Sequence, residues 1–311
     1  MGERQRPERR RGWATVAAAL LLALLTAGHR LVPDGGAHLG SLLEAFLPWL
    51  GLGVPVLLAV ALWRRSRTAL LAVLVPALAW TAVFGGRLLP ADTGPADLTV
   101  LQHNVDDGNA DPEGTARALL GRHADLVALE ELASGEAVYE RVLAHDYPYR
   151  ARSGTVGLWS RYPLTDARPV DIKPAAVHVY WKRGVRATVR TPQGEVAVYV
   201  AHLPSVRVHA TGFAAAGRDE SARRLAAVID AEPIRRVILL GDLNSTLDDR
   251  GLAPLTSRLT PARSGFDFSW PAGLPLARID QVLCRGAVPV STRTLAATGS
   301  DHLPVEVRIR L

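Results

Sequence analysis

Cysteine is almost absent from this sequence, and its absence limits how the chain can be stabilised. Cys284 is the only cysteine among 311 residues, so no intramolecular disulfide can form and a cysteine-based zinc site is not expected. The chain must therefore rely on the burial of apolar side chains. The 216 residues after position 95 are numerous enough to form a sizeable core.

An excess of positive charge is absent from most of the chain. Residues 1–95 contain ten Arg against five Asp and Glu, which accounts for +5 of the formal net charge of +6. The other 216 residues contain 26 Arg and Lys against 25 Asp and Glu. Because proteins that bind nucleic acid usually carry a basic face or stripe, this balance argues against nucleic acid as a partner.

Two common motifs of phosphate and ester chemistry are also missing. The sequence has no Gly-x-Ser-x-Gly nucleophile turn and no Walker phosphate loop. Without a nucleophile turn, hydrolysis by an activated water is favoured over a covalent intermediate.

Long apolar runs, in contrast, are present near the N-terminus. Seventeen uncharged residues separate Arg11 from His29, nineteen separate Glu44 from Arg64, and nineteen separate Arg67 from Arg87. Each run is near the length that a helix needs to cross a bilayer. Buried helices of a soluble protein are the alternative, but three such runs within ninety residues favour the membrane. The sequence predicts a membrane region over 1–87, with transmembrane helices at about 13–28, 45–63 and 68–86.

The basic residues around these runs predict an orientation. Five arginines lie within residues 4–11, and three more lie between the second and third runs, whereas the first loop contains only Arg30. Positive charge stays on the cytoplasmic side, so the N-terminus is predicted inside and the rest of the chain on the extracellular face of the cell membrane. The first run also fits a signal peptide, which would leave the main domain on the same side.

After a Pro- and Gly-rich linker over 88–97, the sequence pattern changes to that of a domain over 98–311. Helical spacing is found at Pro112–Arg122 and Arg218–Ala231. Strands are predicted at Leu98–Gln102, Leu126–Leu129, Gly157–Ser160, Arg186–Val189, Val196–Ala201, Val237–Leu240, Gln281–Cys284 and Val305–Ile309. Strands alternating with helices and hairpins predict a layered α/β or α+β fold.

Polar side chains follow many of these predicted strands. The segment Gly241-Asp242-Leu243-Asn244 comes directly after the apolar run Val237–Leu240, although alone it is equally typical of a simple turn. The other polar strand ends are Asn104, Glu130 and Glu131, His202, Asp280, and Asp301 with His302. This many polar endings predict one shared site at one edge of the sheets.

The residue types at these strand ends favour metal-assisted hydrolysis of a phosphate ester. Carboxylate and amide oxygens suit Mg²⁺ or Mn²⁺, which keep several waters and bind phosphate oxygens. A histidine beside a carboxylate can act as a base or stabilise developing charge. An aspartate close to an asparagine can orient the attacking water while the amide contacts the phosphoryl group.

The same segments resemble the endonuclease/exonuclease/phosphatase superfamily, which includes DNase I. The resemblance covers residues 98–311 and rests on Gln102–Val105, Asp125–Leu132, Gly157–Pro163, Ala201–Leu203, Gly241–Ser245, Arg278–Asp280 and Ser300–Pro304. It implies a DNase I-like four-layer sandwich, in which helices flank two packed mixed β-sheets. The layout, with three helices before a compact outer domain, is similar to the membrane-anchored VanJ-type teicoplanin-resistance proteins of actinomycetes.

The resemblance also implies roles for individual residues. Glu131 would be the principal ligand of Mg²⁺ or Mn²⁺, supported by Asn104 and Asp301. Asp242 would orient or deprotonate the water or handle the leaving group, and Asn244 would contact the phosphate. His302, paired with Asp280, would serve as base or phosphate electrophile, and His202 would contact the phosphate or protonate the leaving group. The family usually has Gln before the catalytic Glu, whereas this chain has Glu130, so the register alone assigns Glu131.

Several other side chains remain open to two interpretations. Trp181, Tyr180 and Trp270 could stack on a substrate or could be packing residues. The segment 269–278 could line the mouth of the site. Arg207 and Arg218 could clamp a phosphate or form surface salt bridges.

The leading functional hypothesis is a membrane-anchored, outward-facing metal-dependent phosphoesterase. A short tether limits its reach to a few tens of ångströms, so a phosphorylated lipid, a polyprenyl pyrophosphate or another cell-wall precursor is the predicted partner, together with the bilayer itself. The first alternative is an extracellular nuclease or phosphodiesterase, which the charge of the domain opposes. The second is a non-catalytic protein that binds a lipid or cell-wall precursor in glycopeptide resistance. The sequence identifies no protein partner.

Overall fold

The computed structural model describes residues 6–89, 94–262 and 265–311. The chain forms two compact units, residues 1–89 and 90–311. The division between them falls inside the predicted linker, of which residues 90–93 lie outside the described part.

Helices make up the first unit. Helix α1 packs against α3 and α4, and the indole Nε1 of Trp80 donates to the carbonyl of Pro48 at 2.8 Å. The helices are α1 (Arg6–Ala27), α2 (Leu39–Ala45), α3 (Gly53–Trp63) and α4 (Arg67–Phe84), with short 3₁₀ helices at His29–Leu31, Leu47–Leu52 and Gly85–Leu88.

Among the described residues of this unit, one helix clearly has the length and composition to cross a membrane. It covers Arg67–Leu88 and contains the third predicted span. The second predicted span falls on two helices, Leu39–Ala45 and Leu47–Trp63, which bend by 70° and count as a span only if the pair crosses together. The first falls on a shorter apolar helix, Gly12–Ala27. Three transmembrane helices therefore stay a prediction, with one or two candidate spans among the described residues.

The second unit contains strands and helices that alternate along the chain. Its helices are α5 (Pro112–Leu120), α6 (Glu136–Leu143), α7 (Ala216–Asp230) and α8 (Ala253–Thr256). Its strands are β1 (Leu98–Asn104), β2 (Leu126–Glu130), β3 (Tyr149–Ser153), β4 (Val156–Ser160), β5 (Leu164–Pro169), β6 (Gly184–Thr191), β7 (Gly194–Ala201), β8 (Val208–His209), β9 (Gly212–Phe213), β10 (Val237–Asp242), β11 (Thr260–Pro261), β12 (Asp280–Arg285), β13 (Val288–Thr294) and β14 (Val305–Arg310).

Two six-stranded mixed sheets form the centre of this unit. Their strand orders are β13-β14-β1-β2-β4-β3 and β11-β12-β10-β7-β6-β5, and the pairs β1–β2 and β7–β10 are parallel. Alternate residues of each strand point to opposite faces of its sheet. In β7, Val196, Val198 and Val200 belong to the apolar cluster that both sheets share, whereas Tyr199 packs with residues of α7.

Helices cover the outer faces of both sheets. Leu225 and Ile229 of α7 belong to the cluster on the outer face of the second sheet. Leu119 of α5 and Tyr139 of α6 belong to the cluster on the outer face of the first sheet. The predicted α/β architecture, two packed mixed sheets flanked by helices, is therefore confirmed.

The order of the strands brings the polar strand ends to one edge of the sandwich. Strands β1, β2, β7 and β10 end there at their carboxyl ends, close to Asn104, Glu131, His202 and Asp242 respectively. Strand β12 is antiparallel to β10, so it begins there with Asp280 opposite Asp242. We call this edge the catalytic rim.

Gly241 allows β7 and β10 to approach each other at the catalytic rim. Its φ is 156°, and a Cβ at this position would lie 1.8 Å from the carbonyl oxygen of Ala201. The Gly241→Ala variant must push the strands apart, so we expect the free energy of unfolding in urea to fall by about 3 kcal/mol, the upper part of the range for overpacking. Gly273→Ala, where nothing lies within 4 Å of the new atom, is the matched control. Equal unfolding midpoints for the two variants would contradict this reading.

Candidate active site

Asp242, the last residue of β10, lies at the centre of the site and is buried. Its Oδ2 accepts hydrogen bonds from Asn104 Nδ2 at 3.0 Å and Asn244 Nδ2 at 3.2 Å, and its Oδ1 accepts from the backbone of Asn244 at 2.9 Å. Asn244 adopts a φ of 48°, which asparagine tolerates well. Burial raises the pKa of Asp242 to about 7, although the positive charge of His302 acts in the opposite direction.

The two adjacent glutamates at the end of β2 point to different places. Glu130 continues the inward alternation of Leu126 and Ala128 and is completely buried. Glu131 follows with a φ of 59°, which turns the chain away from the strand. Its carboxylate is 31% exposed and accepts a hydrogen bond from Asn104 Nδ2 at 3.1 Å. The structure therefore places Glu131 at the catalytic rim and Glu130 beneath it.

Gln102 connects the buried Glu130 to Asp280. Its Nε2 donates to Glu130 Oε2 at 2.8 Å and to Asp280 Oδ1 at 2.9 Å. Burial, followed by the negative charges of Asp280 and Asp242, raises the pKa of Glu130 well above its usual range. Burial therefore favours the neutral form of Glu130, which supports the site from below. Gln102 lies two residues before Asn104 in β1. Because side chains of a strand alternate between its two faces, the sequence places Gln102 on the same face as Asn104.

His302 and Asp280 form a hydrogen-bonded pair. His302 Nδ1 lies 2.8 Å from Asp280 Oδ2, which also accepts from the hydroxyl of Ser269 at 2.6 Å. Burial alone would lower the pKa of His302, but Asp280 and Asp242 raise it to about 10. Burial likewise opposes the charge of Asp280, but His302 and the hydrogen bonds of Ser269 and Gln102 hold its pKa below the ordinary value. His302 is therefore protonated at neutral pH.

His202 lies on the other side of Asp242. Its Nε2 is 3.6 Å from Asp242 Oδ2 and 3.6 Å from Glu131 Oε1, whereas His302 Nε2 is 3.8 Å from Asp242 Oδ2. Burial, followed by the positive charges of Arg183 and His302, lowers the pKa of His202 well below its usual range. One carboxylate thus faces a neutral histidine and a protonated one.

Asp301 and Trp270 lie at the solvent side of the site. The side chain of Asp301 is 60% exposed, and its Oδ1 is 3.8 Å from His302 Nε2. The indole of Trp270 donates to Asp301 Oδ2 at 3.3 Å. The hydroxyl of Ser300 donates to the carbonyl of Asn104 and accepts from the backbone of His302, which ties this loop to β1. The segment that begins at Ser269 therefore does line the mouth of the site.

All eight predicted site residues meet at the catalytic rim. Asn104 reaches the site with its amide nitrogen towards Glu131 and Asp242, while its Oδ1 accepts from the backbone of Asp106. Asn104 thus holds two carboxylates together, and its role as a metal ligand stays a prediction. Gln102 and Ser269 lie in segments that the sequence singled out, but no role in the site was predicted for either of them or for Arg183.

The donor set at the catalytic rim fits a divalent cation. Asp242, Asp280 and His302 have potential ligand atoms within 4.8 Å of one another. However, a protonated imidazole offers no lone pair to a metal, so this trio is better explained as a hydrogen-bonded group. Glu131 and Asp301 carry carboxylate oxygens of the kind that Mg²⁺ and Mn²⁺ prefer, and both side chains are open to solvent at the rim.

Two arginines behind the site have a structural role. Arg218 is buried, and its Nη1 donates to Asp249 at 2.6 Å and to the carbonyl of Asn244 at 3.2 Å. It is therefore neither a phosphate clamp nor a surface salt bridge, because it stabilises the loop after Asn244 from inside the fold. Arg186 is likewise buried in an ion pair with Glu232 at 2.9 Å.

Comparison with known proteins agrees with this geometry. The sequence model of the Endonuclease/Exonuclease/phosphatase family matches residues 101–302, more than half of the chain. The chain belongs to this family. It is therefore a metal-dependent hydrolase of phosphoric esters. No curated protein matches the chain in sequence.

Three solved structures are similar to this chain in fold. Sphingomyelinase C from Streptomyces griseocarneus is 22% identical with a TM-score of 0.55, and the match covers 69% of this chain and 99% of that chain. A beta toxin double mutant from Staphylococcus aureus with bound magnesium ions is 13% identical with a TM-score of 0.59, over 68% and 99%. TDP2 from D. rerio, complexed with a single-strand DNA product, is 16% identical with a TM-score of 0.57, over 69% and 99%.

The protonated His302 makes the stability of the metal-free protein depend on pH. Its pKa of about 10 in the folded state lies above the unfolded value of 6.5, so its stabilisation is complete below pH 6.5 and is lost as the pH rises towards 10. We expect the difference in unfolding free energy between the wild type and His302→Asn, measured in EDTA, to shrink between pH 6.5 and 10. A difference that stays constant or grows would contradict the assigned charge.

Proposed function

We propose that the chain is a membrane-anchored phosphoesterase that hydrolyses a lipid-linked phosphate or pyrophosphate at the extracellular face. The observation that carries the chemistry is the placement of Asp242 between the neutral His202 and the protonated His302, at 3.6 and 3.8 Å, with Glu131 beside them. Negative groups that can hold a cation and positive groups that can hold a phosphate thus share one rim.

Glu131 and Asp301, with Asn104 in support, would hold Mg²⁺ or Mn²⁺. When bound, this cation polarises the phosphate and neutralises its charge. Asp242 orients the attacking water and takes its proton, a task that suits a group with a pKa near neutrality. His302 keeps its own proton, so it donates to a phosphate oxygen and does not act as a base. Neutral His202 and Asn244 contact the remaining phosphate oxygens.

Three observations support a lipid-linked substrate. The first unit has one helix that is long and apolar enough to span a membrane, a bent pair that would make a second, and basic residues next to them. The catalytic unit is nearly neutral, which suits the surface of a membrane better than a nucleic-acid backbone. A solved structure of similar fold is a sphingomyelinase, an enzyme named for a membrane lipid.

The single buried cysteine makes the orientation testable. Cys284 is buried, so the native protein gives little background with a membrane-impermeant maleimide. On intact cells we expect labelling of Arg223→Cys, on the exposed side of α7, but not of Arg64→Cys, in the basic turn after α3. Labelling of Arg64→Cys alone would place the catalytic unit in the cytoplasm and contradict the proposal.

One panel assay separates the substrate classes. Full-length protein with Mg²⁺ is given polyprenyl pyrophosphate, a polyprenyl monophosphate, sphingomyelin, plasmid DNA and a single-stranded oligonucleotide. We expect turnover of a lipid-linked phosphate to exceed that of both nucleic acids. Preferred cleavage of DNA would instead support the second candidate, an extracellular nuclease, which the fold of TDP2 with its DNA product favours.

A further inference from the structure

Arg183 is a positively charged residue at the catalytic rim that the chemistry above leaves without a role. It precedes β6 directly, opposite His202 in the β6–β7 hairpin, and its carbonyl accepts the backbone N–H of His202 at 2.9 Å. The carbonyl of the preceding Lys182 accepts from the backbone of Thr155 at 3.2 Å. Gly154, with a φ of 58°, lets this turn pass close to Lys182. The backbone beneath Arg183 is therefore fixed from both sides.

The side chain of Arg183 is also held in place. Its guanidinium carbon lies 5.3 Å from the centroid of the Trp181 ring, and Trp181 packs against the apolar cluster beneath α7. Its Nη1 lies 3.4 Å from both ring nitrogens of His202. Because an aromatic platform restricts the guanidinium, little conformational entropy is lost when it binds an anion.

The charge of Arg183 has no close counter-ion. In the described ranges, no carboxylate lies within 4 Å of its guanidinium, whereas the buried Arg186 and Arg218 each pair with a carboxylate at that range. Burial lowers the pKa of Arg183, and only the more distant charges of Glu131 and Asp242 oppose this effect. A half-buried cation that faces the site without a close carboxylate is suited to bind an anionic group of the substrate.

We propose that Arg183 binds a phosphate oxygen and selects terminal phosphates over phosphodiesters. This inference rests on the proposed function and specifies its substrate class. A terminal phosphoryl group has three non-bridging oxygens, and the rim offers three partners for them, namely the cation that Glu131 would hold, the imidazole of His302 and the guanidinium of Arg183. A phosphodiester has only two such oxygens and one negative charge, so it leaves one partner unused.

The test compares two substrates that share a leaving group. Full-length wild type, Arg183→Ala, Arg183→Lys and the control Arg190→Ala are assayed with Mg²⁺ on p-nitrophenyl phosphate and on bis(p-nitrophenyl) phosphate. Arg190 is exposed at the opposite end of β6 and, among the described residues, forms an ion pair with Glu195. We expect Arg183→Ala to lower kcat/KM for the monoester about 50-fold, as for the loss of one charged hydrogen bond. The same variant should lower kcat/KM for the diester by less than about fivefold. Arg183→Lys should be intermediate and Arg190→Ala unchanged.

A binding measurement separates this inference from the proposed function. Inorganic phosphate with Mg²⁺ should raise the Tm of the wild type and of Arg190→Ala but not that of Arg183→Ala. If the wild type hydrolyses neither substrate yet shows this pattern, the proposed function falls and the anion site of Arg183 stands. Equal losses on both substrates, or a phosphate shift that survives Arg183→Ala, would overturn the inference. The Tm of each variant without phosphate shows whether it is folded.

Discussion

The Asp242→Asn variant is expected to lower kcat/KM for phosphate ester hydrolysis by about 10³-fold or more, within the upper range for loss of a general base. The substitution keeps the size of the side chain but removes the carboxylate that lies close to both His202 and His302. Oδ2 of Asp242 accepts hydrogen bonds from the side-chain amides of Asn104 and Asn244. An amide group at this position would place a donor opposite these donors. The attacking water would lose both its orientation and its proton acceptor.

The stability of the same variant shows whether the loss is chemical. Burial raises the pKa of Asp242 to about 7, so the ionised carboxylate is unfavourable in the metal-free fold. We therefore expect Asp242→Asn to remain folded in EDTA while activity is lost, because relief from burying the charge offsets the conflict between the new amide and the amide donors around it. Asp230→Asn, at the exposed end of α7, is the matched control and should retain full activity. More than a tenth of the wild-type rate in Asp242→Asn would rule out the assigned role.

The Glu131→Gln variant is expected to raise the Mg²⁺ concentration needed for half-maximal activity by more than about 100-fold, because even outer-shell changes cost 10- to 100-fold in metal affinity. Glu131 is the partly exposed carboxylate beside Asp242, and Gln keeps its volume while removing the charge that attracts the cation. The rate at saturating Mg²⁺ should also fall, since the cation supplies several kcal/mol of charge stabilisation. A Mg²⁺ titration of the rate measures both effects.

The adjacent Glu130 provides a sharp control for this prediction. Glu130 is buried, its pKa is raised well above the usual range, and its Oε2 accepts from Gln102. A neutral Gln can accept the same hydrogen bond, so Glu130→Gln should leave the Mg²⁺ dependence within about threefold of the wild type, as for a conservative buried exchange. Loss of Mg²⁺ dependence in Glu130→Gln but not in Glu131→Gln would reverse the assignment of the two glutamates.

The central strands could be predicted because they are buried on both faces. All eight strands and both helices expected from the sequence are present, within a few residues at each end. The longer strands that the sequence did not predict, β3, β5 and β13, all lie at edges of the sheets. An edge strand buries fewer side chains, as in β5, where no residue is fully buried, so its sequence lacks a clear apolar run.

The sequence predicts the site residues that lie at the ends of strands, but not those that reach the site from turns and loops. The polar residues after β1, β7 and β10 follow from the rule that parallel strands end at one edge. The position of Glu131 depends on a left-handed turn that the sequence does not encode in a visible pattern. Ser269 reaches Asp280 from a loop, and Arg183 reaches the site through the register of a hairpin, so neither has a local signal.

The hydropathy of the first unit predicts the apolar segments but not the bend within one of them. The run 45–63 is uncharged throughout, yet its helices meet at an angle of 70°. The number of uncharged residues gives the length of an apolar segment but does not show where the helix bends. The break lies at Phe46, between α2 and the 3₁₀ helix, and an apolar residue at that position gives no sign of it in the sequence. The number of membrane crossings therefore remains a prediction, to be tested with the cysteine variants.

The most direct test of the whole account is phosphate release from polyprenyl pyrophosphate by the full-length protein. We expect release with Mg²⁺ that stops in EDTA, returns when Mg²⁺ is restored, and is lost in Asp242→Asn. No release by the wild type, or release that survives both EDTA and Asp242→Asn, would contradict it.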